Sequence, residues 1–443
     1  MTPVAFAIAG LLVATEAFFT LLSVLNVRHG AATLSAEADW VAAELDVEDP
    51  DAVVAYQRAK TRLGIVRRWT VLVAVLVALL AGPVEWAVGI VQSTGLGPVA
   101  GGLAFLLGAS VVGNVLSWPF DLYDTFRIEE RFGFNNQTPA LWVRDRLVGL
   151  VVTLAIGGVV GGVILLAVVS LPTLWPLAGW GVYVGFSLLF MIVYPRVIAP
   201  LFNDFVPVDD ALREAVDAVF ERAGFRTDEV YEMDASRRSS HANAYFVGFG
   251  EAKRVVLFDT LVEQHPVEEV QAVLAHELAH WKRAHIWKQL GAGAVQMGAV
   301  FALLGWLVGR GWLYAAFGLP ETPYVGLLLA ALVVWPLGRL SAPLSNRLSL
   351  AHEREADDFA ADIEGPDALA EALLRLTGEN LSNPFPHPWY AAFHYTHPPV
   401  PERVRRLRSK GTGTSGADAG GSEGSGGTDG RSGADDPEGV AAG

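Results

Sequence analysis

Val148–Leu171 reads VGLVVTLAIGGVVGGVILLAVVSL, a run without a single Asp, Glu, Lys or Arg. At about 1.5 Å of rise per helical residue, such a run crosses the roughly 30 Å hydrocarbon core of a bilayer. Working outward, six more stretches are long enough and predominantly apolar: Pro3–Val27, Trp69–Val91, Gly97–Phe120, Leu174–Ile198, Gly291–Gly318 and Tyr324–Leu344. The first has no Lys or Arg before it and no small-residue cleavage site after it, so it is read as a retained span rather than a secretory signal. The expected fold class is a mainly α, polytopic membrane protein with seven transmembrane helices.

Composition agrees with that reading. Of 443 residues, 52% are hydrophobic and only 18% charged, against roughly 25% charged in soluble domains. Mean hydropathy is +0.36. Lys and Arg number 32 and Asp and Glu 47, a net charge of -15 that repels phosphate backbones, so no nucleic-acid partner is expected. Few of the basic residues are Lys, and an acidic, Lys-poor chain suits a salt-rich setting such as a halophilic archaeon. With no Cys, thiolate metal sites and cysteine nucleophiles are excluded, and any metal must sit on His, Asp or Glu.

Basic residues set the expected orientation. They follow the first, third, fifth and seventh spans (Arg58 to Arg68, Arg127 to Arg146, Arg196 onward, Arg347 onward), whereas the links after the second and fourth have none and the link after the sixth has only Arg310. The positive-inside rule then places the N-terminus outside and the polar regions, with the C-terminus, in the cytoplasm. Five regions are expected: 1–198 with five spans and loops 28–68 and 121–147, 199–290, spans six and seven in 291–344, a mostly helical 345–408, and 409–443. Residues 28–68, with Ser35 as a capping residue, are expected to form helices lying on the membrane face. Residues 199–290 predict a helix over Asp209–Ala223, strands near Tyr245–Phe249 and Arg254–Phe258, and a helix from Pro266. From Gly411 the chain turns into Gly, Ser, Thr, Ala and Asp, which buries nothing and is expected to be a disordered tail.

The chemistry is carried by His276-Glu277-Leu278-Ala279-His280. On a helix, i and i+4 share a face, so His276 and His280 offer two imidazole nitrogens to one Zn²⁺, with Glu277 placed to take a proton from the attacking water. A third ligand is needed. A histidine six residues after His280 would complete one known pattern, but Ile286 stands there, and His285 comes one residue too early. A carboxylate from the stretch Asn346–Asp357 (NRLSLAHEREAD) is the alternative. The residues alone leave Glu353, Asp357 and Asp358 open as ligands, while Glu355 points to another face. Glu353 and Asp357 lie at i and i+4, so one can bind the metal while the other orients a ligating histidine.

These motifs, with Trp281, His285 and seven spans, resemble the type I CAAX prenyl proteases, integral-membrane zinc metallopeptidases. Further similar stretches are Ser236–Gly248 (SRRSSHANAYFVG), Val256–Leu261 (VLFDTL), Arg127–Pro139 (RIEERFGFNNQTP) and His387–Arg403 (HPWYAAFHYTHPPVPER). Together they cover about residues 1–408; Leu350 departs from the family's usual Arg. The resemblance implies seven helices enclosing a chamber, closed by a zincin-like cytoplasmic catalytic domain with a small β element. It implies Glu353 as third zinc ligand, Asp357 as the carboxylate behind a ligand, and Asn243, Ala244 and Tyr245 on an edge strand that pairs with extended substrate. His397 and Arg403 would flank the metal and stabilise the oxyanion. Glu16, Glu85 and Asn114, polar groups within apolar spans, are expected to line the chamber.

The function expected is zinc-dependent hydrolysis of peptide bonds at the lipid bilayer, with a prenylated protein or peptide as substrate. A broad-specificity quality-control protease is the alternative within the class. A transporter or scaffold with a structural zinc is the alternative outside it; the presence of Glu277 argues against that.

Overall fold

The computed structural model describes residues 2–45, 50–248 and 253–415. Helix α1 (Pro3–Ala36) starts at a Thr2 cap and runs unbroken to the short α2 (Ala38–Glu44). Ser35 does not cap a new helix there: its hydroxyl donates back to the Ala31 carbonyl inside α1. A serine that satisfies itself in this way lets an existing helix continue, which needs no new nucleus. The region 28–68 is thus helical in its described residues, with α2 as the short separate helix within it. Its first part extends α1, and its last part opens α3 (Pro50–Leu80), whose polar first turns lead straight into the second span.

The second expected span is broken. Gly82 at φ +98° and Pro83 end α3 and start α4 (Pro83–Ser93), because a left-handed residue followed by a donor-less proline cannot propagate a helix. Then α5 (Pro98–Tyr123) runs into a wider π-turn over Asp124–Glu129. Helices α6 (Pro139–Ser170) and α7 (Trp175–Val193) follow, α7 ending in a second π-turn at Tyr194–Ile198 that contains Pro195.

The polar region after α7 holds strand β1 (Phe205–Pro207), helix α8 (Asp210–Ala223), and strands β2 (Val230–Met233), β3 (Ala244–Val247) and β4 (Arg254–Phe258). Helix α8 begins as its sequence predicts, with Asp209 accepting from the Leu212 N–H at 2.8 Å, and stops at left-handed Gly224. The sheet order is β1-β2-β4-β3, parallel between β2 and β4 and antiparallel elsewhere. β1 and β2 were not legible as strands. The expected strand at Tyr245–Phe249 starts one residue earlier, and Phe249 lies outside the described residues.

Short α9 (Asp259–Gln264) leads to α10 (Val267–Lys282) and α11 (His285–Val308). The sixth span is α11 alone: the chain breaks at Gly309, and α12 (Gly311–Phe317) is a separate short helix. The seventh is α13 (Pro323–Leu340), followed by α14 (Ala342–Glu364), α15 (Pro366–Glu379), α16 (Pro388–His394) and α17 (Val400–Ser415). Helix α17 passes the point where the tail was expected to begin, and 416–443 lie outside the described residues. Among the described residues, seven helices are long and apolar enough to cross a membrane.

Two cores result. One joins α8, the sheet, α10, α14 and α15 through Val216, Phe220, Leu257, Leu274, Leu278 and Leu374. The other lies among the spans, around Leu12, Leu72, Leu165 and Leu329. Within the spans, Glu16 is 2% exposed and takes Arg68 of α3 and Arg339 of α13, each at 2.6 Å. One carboxylate thus ties three spans. The other two expected chamber residues behave differently: Glu85 is exposed in the first turn of α4, and Asn114 donates to the Ser110 carbonyl of its own helix at 2.9 Å.

Removing Glu16 leaves two guanidinia unpaired in a low-dielectric layer. Glu16→Ala is therefore expected to destabilise the helix bundle by about 3–5 kcal/mol, read as a lowered melting temperature of the detergent-solubilised chain.

Candidate metal centre

The centre is built where α10 crosses α14. On α10, Val270, Leu274 and Leu278 face the core at helical spacing, which turns His276 and His280 toward α14. The residues buried where the two helices pack include Ala272, Ala275, Ala279, Ala356 and Ala360, all without exposed surface. Such small side chains let the helix axes approach closely, so Glu353 reaches both imidazoles.

His276 Nε2 and His280 Nε2 lie 3.4 Å apart. Glu353 Oε2 is 3.3 Å from the first and Oε1 3.3 Å from the second. Four tetrahedral ligands at the about 2.0–2.1 Å distances of zinc sites stand about 3.3–3.4 Å from one another, so these three donors have the spacing of one metal ion. Glu353 Oε2 is buried, with His276 Nε2 and His397 Nδ1 as its nearest nitrogens. His, His and Glu are the only group of this kind among the described residues. Burial pushes the Glu353 carboxyl up, but the imidazoles of His276, His280 and His397 outweigh it and keep it ionised far below the usual range.

Each histidine ligand is held from behind. His276 Nδ1 is 3.1 Å from Asp357 Oδ1, and Asp357, 1% exposed, is gripped by Arg403 through Nε at 3.0 Å and Nη2 at 2.5 Å. Burial pushes Asp357 up; the hydrogen bond from His276 and the Arg403 guanidinium outweigh it and hold it at about 2. With Asp357 ionised, His276 keeps its proton on Nδ1 and turns Nε2 to the metal position.

His280 is held by a group that the spacing argument had set aside. His285 Nδ1 lies 3.1 Å from His280 Nδ1, and His285 Nε2 is 3.0 Å from Glu355 Oε2. His285 is 1% exposed and stacks on His352 at 4.1 Å. For His280 to ligate through Nε2, its Nδ1–H must donate, which makes His285 Nδ1 the acceptor and His285 Nε2–H the donor to Glu355. Nothing in the sequence announces it, because His285 is brought back beneath His280 by the left-handed Ala284 (φ 56°) between α10 and α11. A left-handed alanine is strained, and local propensity does not predict one.

The remaining predicted residues are placed as follows. Glu277, half-buried, makes no hydrogen bond or ion pair with the described residues. His397 Nδ1 stands 2.6 Å from Glu353 Oε2, with its side chain 57% exposed. Arg403 is not at the open side of the ligands: its guanidinium lies on Asp357, behind His276, with Nη2 3.4 Å from His276 Nδ1. That pairing engages Nε and Nη2 of Arg403. Asn243, Ala244 and Tyr245 come together at β3, which pairs with β4 alone and is an edge of the sheet packed beside α10. Asn243 accepts from the Phe258 N–H through its carbonyl and from the Ala244 N–H through its side chain.

Residues 33–204 match the family described as CAAX prenyl protease N-terminal, five membrane helices, and residues 208–410 match peptidase family M48. The chain is a membrane metallopeptidase of the M48, CAAX prenyl protease 1 family. It is 37% identical to the CAAX prenyl protease 1 homolog of Oryza sativa over 308 residues, 69% of this chain and 72% of the relative. Against CAAX prenyl protease 1 of Saccharomyces cerevisiae it is 33% identical over 329 residues, 70% and 72% of the two chains. The crystal structure of S. mikatae Ste24p superimposes with a TM-score of 0.81 at 29% identity, over 92% of this chain and 99% of that one. The seven spans, the four-stranded sheet and the His276, His280, Glu353 cluster are thus those of an M48 metallopeptidase.

Two outcomes follow from the geometry. His285→Phe keeps the ring and removes the acceptor for His280, so metal affinity is expected to fall 10–100-fold, measured by competition with a chelating dye. Burial pushes His276 down, but Asp357 and Glu353 outweigh it and raise it from 6.5 to about 9. A metal ion binding at pH 7 must displace that proton, so affinity is expected to drop about tenfold per pH unit below 9 and to level off above it. Titration calorimetry in buffers of different ionisation enthalpy reads the released proton.

Proposed function

We propose that the chain is a zinc-dependent endopeptidase in which Glu277 is the general base and His276, His280 and Glu353 are the zinc ligands. The observation that carries this is the three-donor triangle beside a carboxylate, Glu277, that no other described residue engages. A purely structural site would close its fourth position with protein and has no use for such a group. When bound, zinc supplies a Lewis acid that polarises the scissile carbonyl and lowers the pKa of water.

Glu277 takes the proton from the attacking water and returns it to the leaving amine. The exposed edge of β3 at Asn243, Ala244 and Tyr245 binds extended substrate by main-chain hydrogen bonds, which gives affinity with little sequence selectivity. Substrate entering there displaces the Asn243 side chain from the Ala244 N–H. His397, exposed on the open side of Glu353, donates to the carbonyl oxygen as it gains charge. Arg403 acts through Asp357 to orient His276 and is a positioning residue rather than an oxyanion donor.

The substrate class is the C-terminal tripeptide of prenylated CAAX proteins, supported by the names of the relatives. The Lys and Arg distribution supports an N-terminus outside and a catalytic centre in the cytoplasm.

Glu277→Gln is expected to lower kcat by at least about 10²–10⁴-fold while zinc content per chain stays unchanged. The comparison uses a prenylated CAAX peptide and its unmodified counterpart, with chelator and with zinc restored. Cleavage that survives Glu277→Gln or chelation removes the mechanism. Equal cleavage of the two peptides removes prenyl specificity and favours a broad-specificity protease.

A further inference from the structure

Where α3 and the π-turn after α5 leave the apolar layer, a groove of 800 Å³ opens between them. Its rim carries Arg62, Arg127 and Arg131, and its floor includes Val66, Phe120 and Tyr123. No Asp or Glu lines it. This is unusual in a chain with 47 acidic residues against 32 basic ones.

The charges on these two elements are sorted by face. Lys60 is paired with Asp124 and Glu129, each at 2.7 Å, and Arg67 with Asp121 at 2.8 Å. All the acids of the π-turn and of the end of α5 are therefore engaged on the inner side. The three groove arginines are exposed and make no ion pair with the described residues. Arg127 and Arg131 are four residues apart and share a face. Arg131 lies along the Phe132 ring at 5.4 Å, which leaves its donors outward. A π-turn often marks a functional position. Here it coincides with the turn that carries Arg127 outward while Glu129 meets Lys60 and Tyr56.

The groove sits at headgroup depth. Arg62 comes seven residues before Trp69, where the apolar part of α3 begins, and Arg127 seven residues after Phe120, where that of α5 ends. Val66 and Tyr123, each 55% exposed, continue into the exposed apolar face of Val73 and Val77. An occupant must be anionic at one end and apolar at the other.

We propose that this groove is a binding site for one anionic phospholipid, its phosphate held by Arg62, Arg127 and Arg131 and an acyl chain laid over Val66, Phe120 and Tyr123. Guanidinia grip phosphate oxygens in bidentate fashion, and basic pockets between spans at a membrane face select anionic headgroups. A free phosphate would leave the apolar floor uncovered, and a zwitterionic lipid would add a cation to three guanidinia.

The test uses the full chain in non-ionic detergent, titrated with phosphatidylglycerol, phosphatidylcholine or inorganic phosphate and read by native mass spectrometry. Wild type is expected to hold one phosphatidylglycerol in preference to phosphatidylcholine, and millimolar phosphate should not displace it. The triple variant Arg62→Ala, Arg127→Ala, Arg131→Ala should bind about a hundredfold more weakly, since each basic residue near a surface contributes severalfold. The corresponding triple Lys variant, which keeps the charge, should retain binding within about tenfold, and Arg310→Ala at the far end of α11 should change nothing. Unaltered binding in the triple Ala variant, equal retention of phosphatidylcholine, or release by phosphate each overturns the proposal.

Discussion

Glu353 is the constraint on which the rest of the catalytic structure depends. A carboxylate buried between two helices is costly unless cations or strong donors surround it, and here two imidazoles and the place of a metal ion do so. To bring that carboxylate within 3.3 Å of both histidines, α10 and α14 must pack on alanines. The third layer, Arg403 on Asp357 and Glu355 on His285, then holds each imidazole in the one tautomer that leaves Nε2 free.

The two histidines are supported by different means. Behind His276 stands a buried ion pair, rigid and dry. Behind His280 stands a neutral histidine stacked on another histidine and ending on a half-exposed carboxylate. The first support fixes geometry through charge, and the second through packing and a strained turn at Ala284. Helix α14 follows the seventh span after one residue, so the depth of α13 in the bilayer sets the height of Glu353. Catalytic centre and membrane are in this sense one frame, with Glu16 bracing α13 against α1 and α3.

Some sequence signals proved stronger than others. Apolar length identified seven spans because the bilayer imposes a fixed length on any helix that crosses it. It did not see that Gly82 and Gly309 would cut two of them, since both lie inside long, mostly apolar stretches. Polar sequence in 28–68 looked like separate helices; α2 is one, while the described residues on either side of it belong to α1 and α3. The short β1 and β2 carry too few residues for alternation to show; β2 is held by its parallel partner β4 and β1 by its antiparallel partner β2.

In the site, the spacing of His276 and His280 determined by itself that two imidazoles would share a helix face, and the absence of Cys determined that the third donor would be oxygen or imidazole. Which acid supplied it was open among Glu353, Asp357 and Asp358 until α14 was laid against α10. Only the tertiary structure decided that Arg403 sits behind His276 and that His285 supports His280, because both depend on where separate helices meet and on one left-handed residue. Local pattern determines faces and lengths; the contacts between distant elements, which set tautomers and charge partners, arise when those faces are packed.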